Sequence, residues 1–190
     1  MYEIKVWTPE LDLTEFYEKA AARGFENNSN QKIMVDCFRN EKEWRVWIIY
    51  YNGVAMGSVA AHSFDDVMGP NTYRVAVRSC AFTDHTPKTT LRTRNQIATN
   101  QHILSQIHIP VCMDWVGDRG KMYITSNENS SGSQRLVHRI SMPSMVEIGT
   151  ALRIKDVEYR GTTQTVWELL PQPFYALNEK YGQWPYKYIH

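Results

Sequence analysis

The spacing of hydrophobic positions changes several times along the chain, and each change marks an element. Residues 3–7 (Glu-Ile-Lys-Val-Trp) alternate with the period of two that a half-buried strand requires. Thr8-Pro9 ends that run, because a proline pushes the residue before it out of the helical region. Leu13, Phe16, Tyr17, Ala20 and Ala21 then recur at i, i+3, i+4, i+7 and i+8. This is the apolar stripe of an amphipathic helix over residues 13–23, with Gly24 as its stop. A polar loop follows at 27–30, and residues 32–40 read as a short helix. Trp44-Arg-Val-Trp-Ile-Ile-Tyr-Tyr51 is rich in β-branched and aromatic residues, and Val54 to Ala61 is a second such run. Asn52-Gly53 between them is the strongest short-range hairpin signal a sequence carries. After a loop over 63–71, residues 73–82 alternate again. Val75, Val77, Ser79 and Ala81 share one face, and Arg74, Ala76, Arg78, Cys80 and Phe82 the other. Three consecutive strands joined by short loops predict an antiparallel meander.

Beyond the meander, residues 83–93 are polar and basic, and a helix is predicted over 94–106 on Ile97, Ile103 and Leu104. Pro110 opens a further segment. Residues 121–125 (Lys-Met-Tyr-Ile-Thr) are a short strand after Gly120, 127–132 a turn, and 133–140 a helix. Residues 151–154 and 157–159 are extended, and 163–170 form a last strand. The strand–helix–strand passage in the middle predicts a parallel, right-handed crossover. The order as a whole predicts an α/β protein whose mixed, largely antiparallel sheet carries helices on both faces.

The chain has 190 residues, with 21 Lys+Arg against 20 Asp+Glu, a formal charge of +1. That balance argues against a polycation working on nucleic acid. With 43% hydrophobic residues the chain can build a core, which rules out disorder throughout. No apolar run approaches the roughly 18 residues of a membrane span. The three cysteines, Cys37, Cys80 and Cys112, are far apart and form no CxxC, so neither a disulfide framework nor a zinc ribbon is expected. No metal is expected, and with no secretory pattern at the first residues a reducing, cytoplasmic setting follows as an expectation.

Candidate chemistry is sparse. His62 ends the second hairpin strand, and Asp65 and Asp66 follow within reach to orient or charge its imidazole; the same spacing suits a turn-capping loop. Cys80 shares a strand face with Arg78, where a thiolate would gain a cation, or else it is a small core residue. Lys88, Arg92 and Arg94 cluster within 88–94 with no acid among them, and Thr89, Thr90 and Thr93 stand between them as hydroxyl donors. Residues 171–190 carry Phe174, Tyr175, Tyr181, Trp184, Tyr186 and Tyr188. This aromatic extension has too much apolar area to float and suits packing on the preceding domain, residues 1–170, or on a second copy in a homo-oligomer.

The order of elements resembles the GNAT N-acetyltransferase superfamily. The residues that carry the resemblance are the hairpin around Asn52-Gly53, the 73–82 strand with its basic loop and helix, and the run Tyr123-Ile-Thr-Ser-Asn-Glu-Asn129 leading into a helix. Glu158-Tyr-Arg-Gly161 and Gln164-Thr-Val-Trp-Glu-Leu169 complete it. The resemblance implies acetyl-CoA, or another acyl-CoA, as co-substrate and an amine of a small molecule or peptide as acceptor. It implies that Ser79, Cys80, Ala81 and Phe82 pair their backbone with the pantetheine arm, and that Asn129 bonds an amide of that arm. The pyrophosphate would meet backbone N–H groups at a helix N-terminus. There the chain departs from the family's Gln/Arg-x-x-Gly-x-Gly/Ala turn: residues 86–95 contain no glycine, and Lys88, Thr89, Arg92 and Arg94 would have to hold the phosphates by charge and hydroxyl. The family's general-acid tyrosine is also missing. Leu136-Val137 stands in its place, with His138 next in line, a residue type suited to proton transfer but about 100° further round a helix. His62 or Asp65 would then accept the amine's proton. The two departures keep open an alternative in which the fold serves as a binding or structural module without acyl transfer.

Overall fold

A computed structural model of the chain describes residues 2–21, 38–80, 107–130, 135, 137–173 and 186–189. The described residues include eight strands. They are β1 (Tyr2–Val6), β2 (Trp44–Tyr51), β3 (Val54–Ser63), β4 (Thr72–Cys80), β5 (Lys121–Ser126), β6 (Ala151–Tyr159), β7 (Thr162–Leu169) and β8 (Tyr186–Ile189). Among the described residues the helices are α1 (Thr14–Ala21), α2 (Asp65–Met68), α3 (Ile109–Val116) and α4 (Met142–Glu147). A 3₁₀ turn covers Gly117–Arg119 and a π-helical turn Val137–Ser141. The mixed α/β class is the one the sequence predicts. The basic segment 81–94, the predicted helix over 94–106 and tail residues 174–185 lie outside the described residues.

Contacts divide the chain into two compact units: residues 1–62, 77–109 and 185–190, and residues 63–76 and 110–184. In the first, β1 pairs antiparallel with β2, Ile4 opposite Ile49, and β2 pairs antiparallel with β3. Asn52 (φ 49°) and Gly53 (φ 80°) take the two left-handed conformations that a two-residue hairpin turn demands. Residues Val46 to Tyr50 are all buried, so β2 is covered on both faces. This is why its apolar run is continuous and not alternating. β8 pairs parallel with β1, Tyr2 opposite Tyr186. Four residues of the aromatic extension are therefore a sheet strand.

In the second unit, β4 and β5 pair parallel from Thr72↔Lys121 to Val75↔Ile124, as the predicted crossover requires. Gly120 allows the approach: a Cβ there would stand 2.0 Å from the Asn71 carbonyl oxygen. β5 and β6 each pair antiparallel with β7. The two extended runs at 151–154 and 157–159 are one strand, with a bulge between Arg153 and Lys155. Phe64, Tyr123 and Val166 form a core cluster with Val67, Met68, Val157 and Tyr159 against it. Arg74 is buried beside that cluster, its Nε donating to Thr125 Oγ1 at 2.8 Å and its guanidinium 4.9 Å from the Tyr159 ring. Of the helix predicted over 133–140, residues 137–140 belong to the π-turn Val137–Ser141, which runs directly into α4; residues 133, 134 and 136 lie outside the described residues.

Candidate active site

Strand register builds the site. Ser126 on β5 lies opposite Thr165 on β7, and Thr165 lies opposite Asp156 on β6. Three polar residues from distant parts of the sequence thus form one row across three strands. Thr165 Oγ1 donates to Asp156 Oδ1 at 2.7 Å, and Arg153 grips both oxygens of Asp156 at 3.0 and 3.2 Å. Side chains two apart on a strand share a face, so Trp167 stands beside Thr165.

The π-turn brings His138 to this row. Ser126 Oγ is 2.9 Å from His138 Nδ1 and accepts the Trp167 Nε1–H at 2.8 Å. The imidazole meets the Trp167 ring edge-on, with centroids 6.0 Å apart. On its other side, His138 Nε2 is 3.9 Å from Glu128 Oε2, and Glu128 Oε1 is 3.4 Å from the Arg139 guanidinium. His138 is half-buried. A π-turn adds a residue to the helical repeat through its i→i+5 bonds, and such turns recur at functional sites.

Around this group is a pocket of about 150 Å³. Ser126, Asn127, Glu128 and Asn129 line it from the end of β5, His138 from the π-turn, and Arg153, Asp156, Thr163 and Thr165 from β6 and β7. Asn127 Oδ1 accepts the Asn129 N–H at 2.8 Å, a local turn bond of the kind asparagine makes.

Of the candidate residues, Asn129 and His138 come together at this pocket. His62 is buried in the first unit, its ring 5.2 Å from Phe38 and its Nδ1 3.6 Å from Glu41 Oε1. Asp65 opens α2 in the second unit, where its Oδ1 accepts the Thr72 N–H at 3.3 Å. Neither lines the pocket. Ser79 and Cys80 are the last two residues of β4. Ala81, Phe82, Lys88, Thr89, Arg92 and Arg94 lie outside the described residues. Sequence reasoning missed Ser126, Glu128, Asp156, Thr165 and Trp167. Only Ser126 and Glu128 had a signal, their place in the polar run after a predicted strand. Among the described residues no cluster could hold a metal ion, and no helix is long and apolar enough to cross a membrane.

No family model matches the chain, and no curated protein matches it significantly. Solved structures do match, and they share the fold of acetyltransferases of the GNAT type. Aminoglycoside acetyltransferase AAC(6')-Ib, solved with coenzyme A and kanamycin, superposes with a TM-score of 0.57 at 11% identity, over 93% of this chain and 98% of that one. Aminoglycoside 6'-acetyltransferase type Ii matches with a TM-score of 0.51 at 8% identity, over 88% and 96%. An uncharacterized protein from Bacillus halodurans matches at 0.55 and 10%, over 91% and 86%. At such identities the likeness establishes the fold: this chain has a divergent GNAT-like architecture.

Proposed function

We propose that this protein is an N-acyltransferase that moves an acetyl or other acyl group from acyl-CoA to an amine of a small-molecule acceptor. The observation that carries the reading is the polar pocket at the C-terminal end of β5, where His138 is held between Ser126 and Glu128. The crevice beyond the carboxyl ends of parallel strands is where open α/β sheets bind ligands, and β5 pairs parallel with β4. The fold neighbours supply the chemical class, since one is an aminoglycoside acetyltransferase solved with coenzyme A.

In the proposed reaction the acceptor nitrogen attacks the thioester carbonyl carbon. A C–N bond forms, the C–S bond breaks, the nitrogen gives up one proton and the departing sulfur gains one. Backbone N–H groups of residues 79–82 polarise the carbonyl. Lys88, Thr89, Arg92 and Arg94 hold the phosphates, and Asn129 bonds the pantetheine amide. His138 serves the departing sulfur. Of the candidate acceptors for the amine's proton, His62 is fully buried and Asp65 is the more accessible.

Calorimetric titration with acetyl-CoA tests this reading. Saturable binding and a rise in Tm are the expected result, since a ligand of the native state stabilises it. Arg92→Ala should weaken the binding. No heat and no stabilisation at millimolar acetyl-CoA would sink the proposal. It would favour the second reading, a binding module on the same fold, which the lack of glycine in residues 86–95 supports.

A further inference from the structure

Ser126 is fully buried, and its hydroxyl has two side-chain neighbours: the Trp167 Nε1–H, which it accepts at 2.8 Å, and His138 Nδ1 at 2.9 Å. An indole N–H only donates, so one lone pair of Oγ is committed. A serine hydroxyl carries a single proton, and among the described residues His138 Nδ1 is the acceptor it faces. Were Nδ1 itself protonated, both neighbours of Oγ would be donors and the buried Ser126 O–H would lose its acceptor. Leaving a buried donor unsatisfied costs enough to shift such an equilibrium by about tenfold or more. That cost falls on one tautomer of the ring only.

We propose that Ser126, its rotor fixed by Trp167, is a positioning residue for His138. It holds the neutral ring as the Nε2–H tautomer. The nitrogen on the Glu128 side, 3.9 Å from Oε2, is thereby a hydrogen-bond donor and not a base. The functional meaning rests on the acyl-transfer reading above: a ring in this tautomer steadies the departing sulfur by an Nε2–H hydrogen bond, the sulfur's proton coming from solvent, and cannot take the amine's proton at Nε2. The same logic makes a general-base role for His138 inconsistent with its surroundings, and leaves that role to another group.

The test is long-range ¹⁵N–¹H correlation spectroscopy of the full chain, uniformly ¹⁵N-labelled, at a pH where the ring is neutral. The His138 signals are assigned by their loss in His138→Asn. In the wild type, Nε2 should carry the proton and Nδ1 should resonate as a hydrogen-bonded acceptor, with the tautomer ratio about tenfold or more in favour of Nε2–H. Ser126→Ala should let the ratio relax toward that of free imidazole, and Ser126→Thr, which keeps the hydroxyl, should restore it. A wild-type ring that is Nδ1–H or evenly mixed would overturn the proposal, and so would a ratio unchanged in Ser126→Ala. Should Ser126→Ala not fold, the wild-type spectrum and Ser126→Thr still decide. Failure to bind acetyl-CoA would sink the acyl-transfer reading while leaving the tautomer result standing.

Discussion

His138 occupies a position that a helical wheel alone would not select. It follows Val137, where the GNAT resemblance implies a tyrosine, and one residue of shift in a regular α-helix would turn its side chain about 100° away. The segment is a π-turn, whose extra residue per turn changes that geometry. His138→Gln should therefore lower kcat for acyl transfer by about tenfold or more, the worth of one hydrogen bond to the charge developing on the departing sulfur. The affinity for acetyl-CoA should stay the same. Steady-state kinetics with calorimetry on the same variant checks both, and an unchanged kcat would remove His138 from the reaction. The surface pair Arg153–Asp156 differs in kind. Both side chains are about half exposed, so the pair contributes little stability and shapes the pocket wall instead.

At the scale of elements, sequence signals were read correctly where a local cause dictated the structure. Asn52-Gly53 made a hairpin because few other residue pairs tolerate two consecutive left-handed conformations. Where the cause was non-local, the pattern misled. β6 looked like two short pieces because the bulge between Arg153 and Lys155 inserts one unpaired residue and resets the alternation of faces. β8 was not legible, since nothing in Tyr-Lys-Tyr-Ile announces β1 as its parallel partner. The close approach at Gly120 also depends on tertiary contact. Gly120→Ala would drive a methyl group into the Asn71 carbonyl, where the chain enters β5 beside β4. Overpacking of this kind typically costs about 1–3 kcal/mol, and a backbone obstacle places the change at the upper end. Urea unfolding should register that loss; a midpoint equal to the wild type would show that the two strands can separate freely at that corner.

At the scale of the whole molecule, His108 makes stability depend on pH. It is 2% exposed, neither ring nitrogen has a hydrogen-bond partner among the described residues, and burial holds its pKa down at about 3 against an ordinary 6.5. Between those values the unfolded chain binds a proton that the folded chain refuses, so the stability contribution is fully present above about pH 6.5. It falls as the pH drops toward 3. In His108→Leu, which removes both nitrogens from an apolar site, the slope of unfolding free energy over that window should flatten, with stability at neutral pH equal or higher. An unchanged slope would assign the acid sensitivity elsewhere. Asn129 and His138 were reached through the GNAT resemblance. By itself the sequence determined the mixed α/β class, the Asn-Gly hairpin and the parallel pairing of β4 with β5. Each has a cause within a few residues: a period or a turn dipeptide. Only the tertiary structure brought Ser126, Thr165 and Asp156 into one row, set Trp167 against Ser126, and gave His138 its partners. Those contacts join residues about 10 to 40 positions apart through strand register and a π-turn. Pairing between distant strands is settled by which faces can be buried together, and no local pattern encodes it.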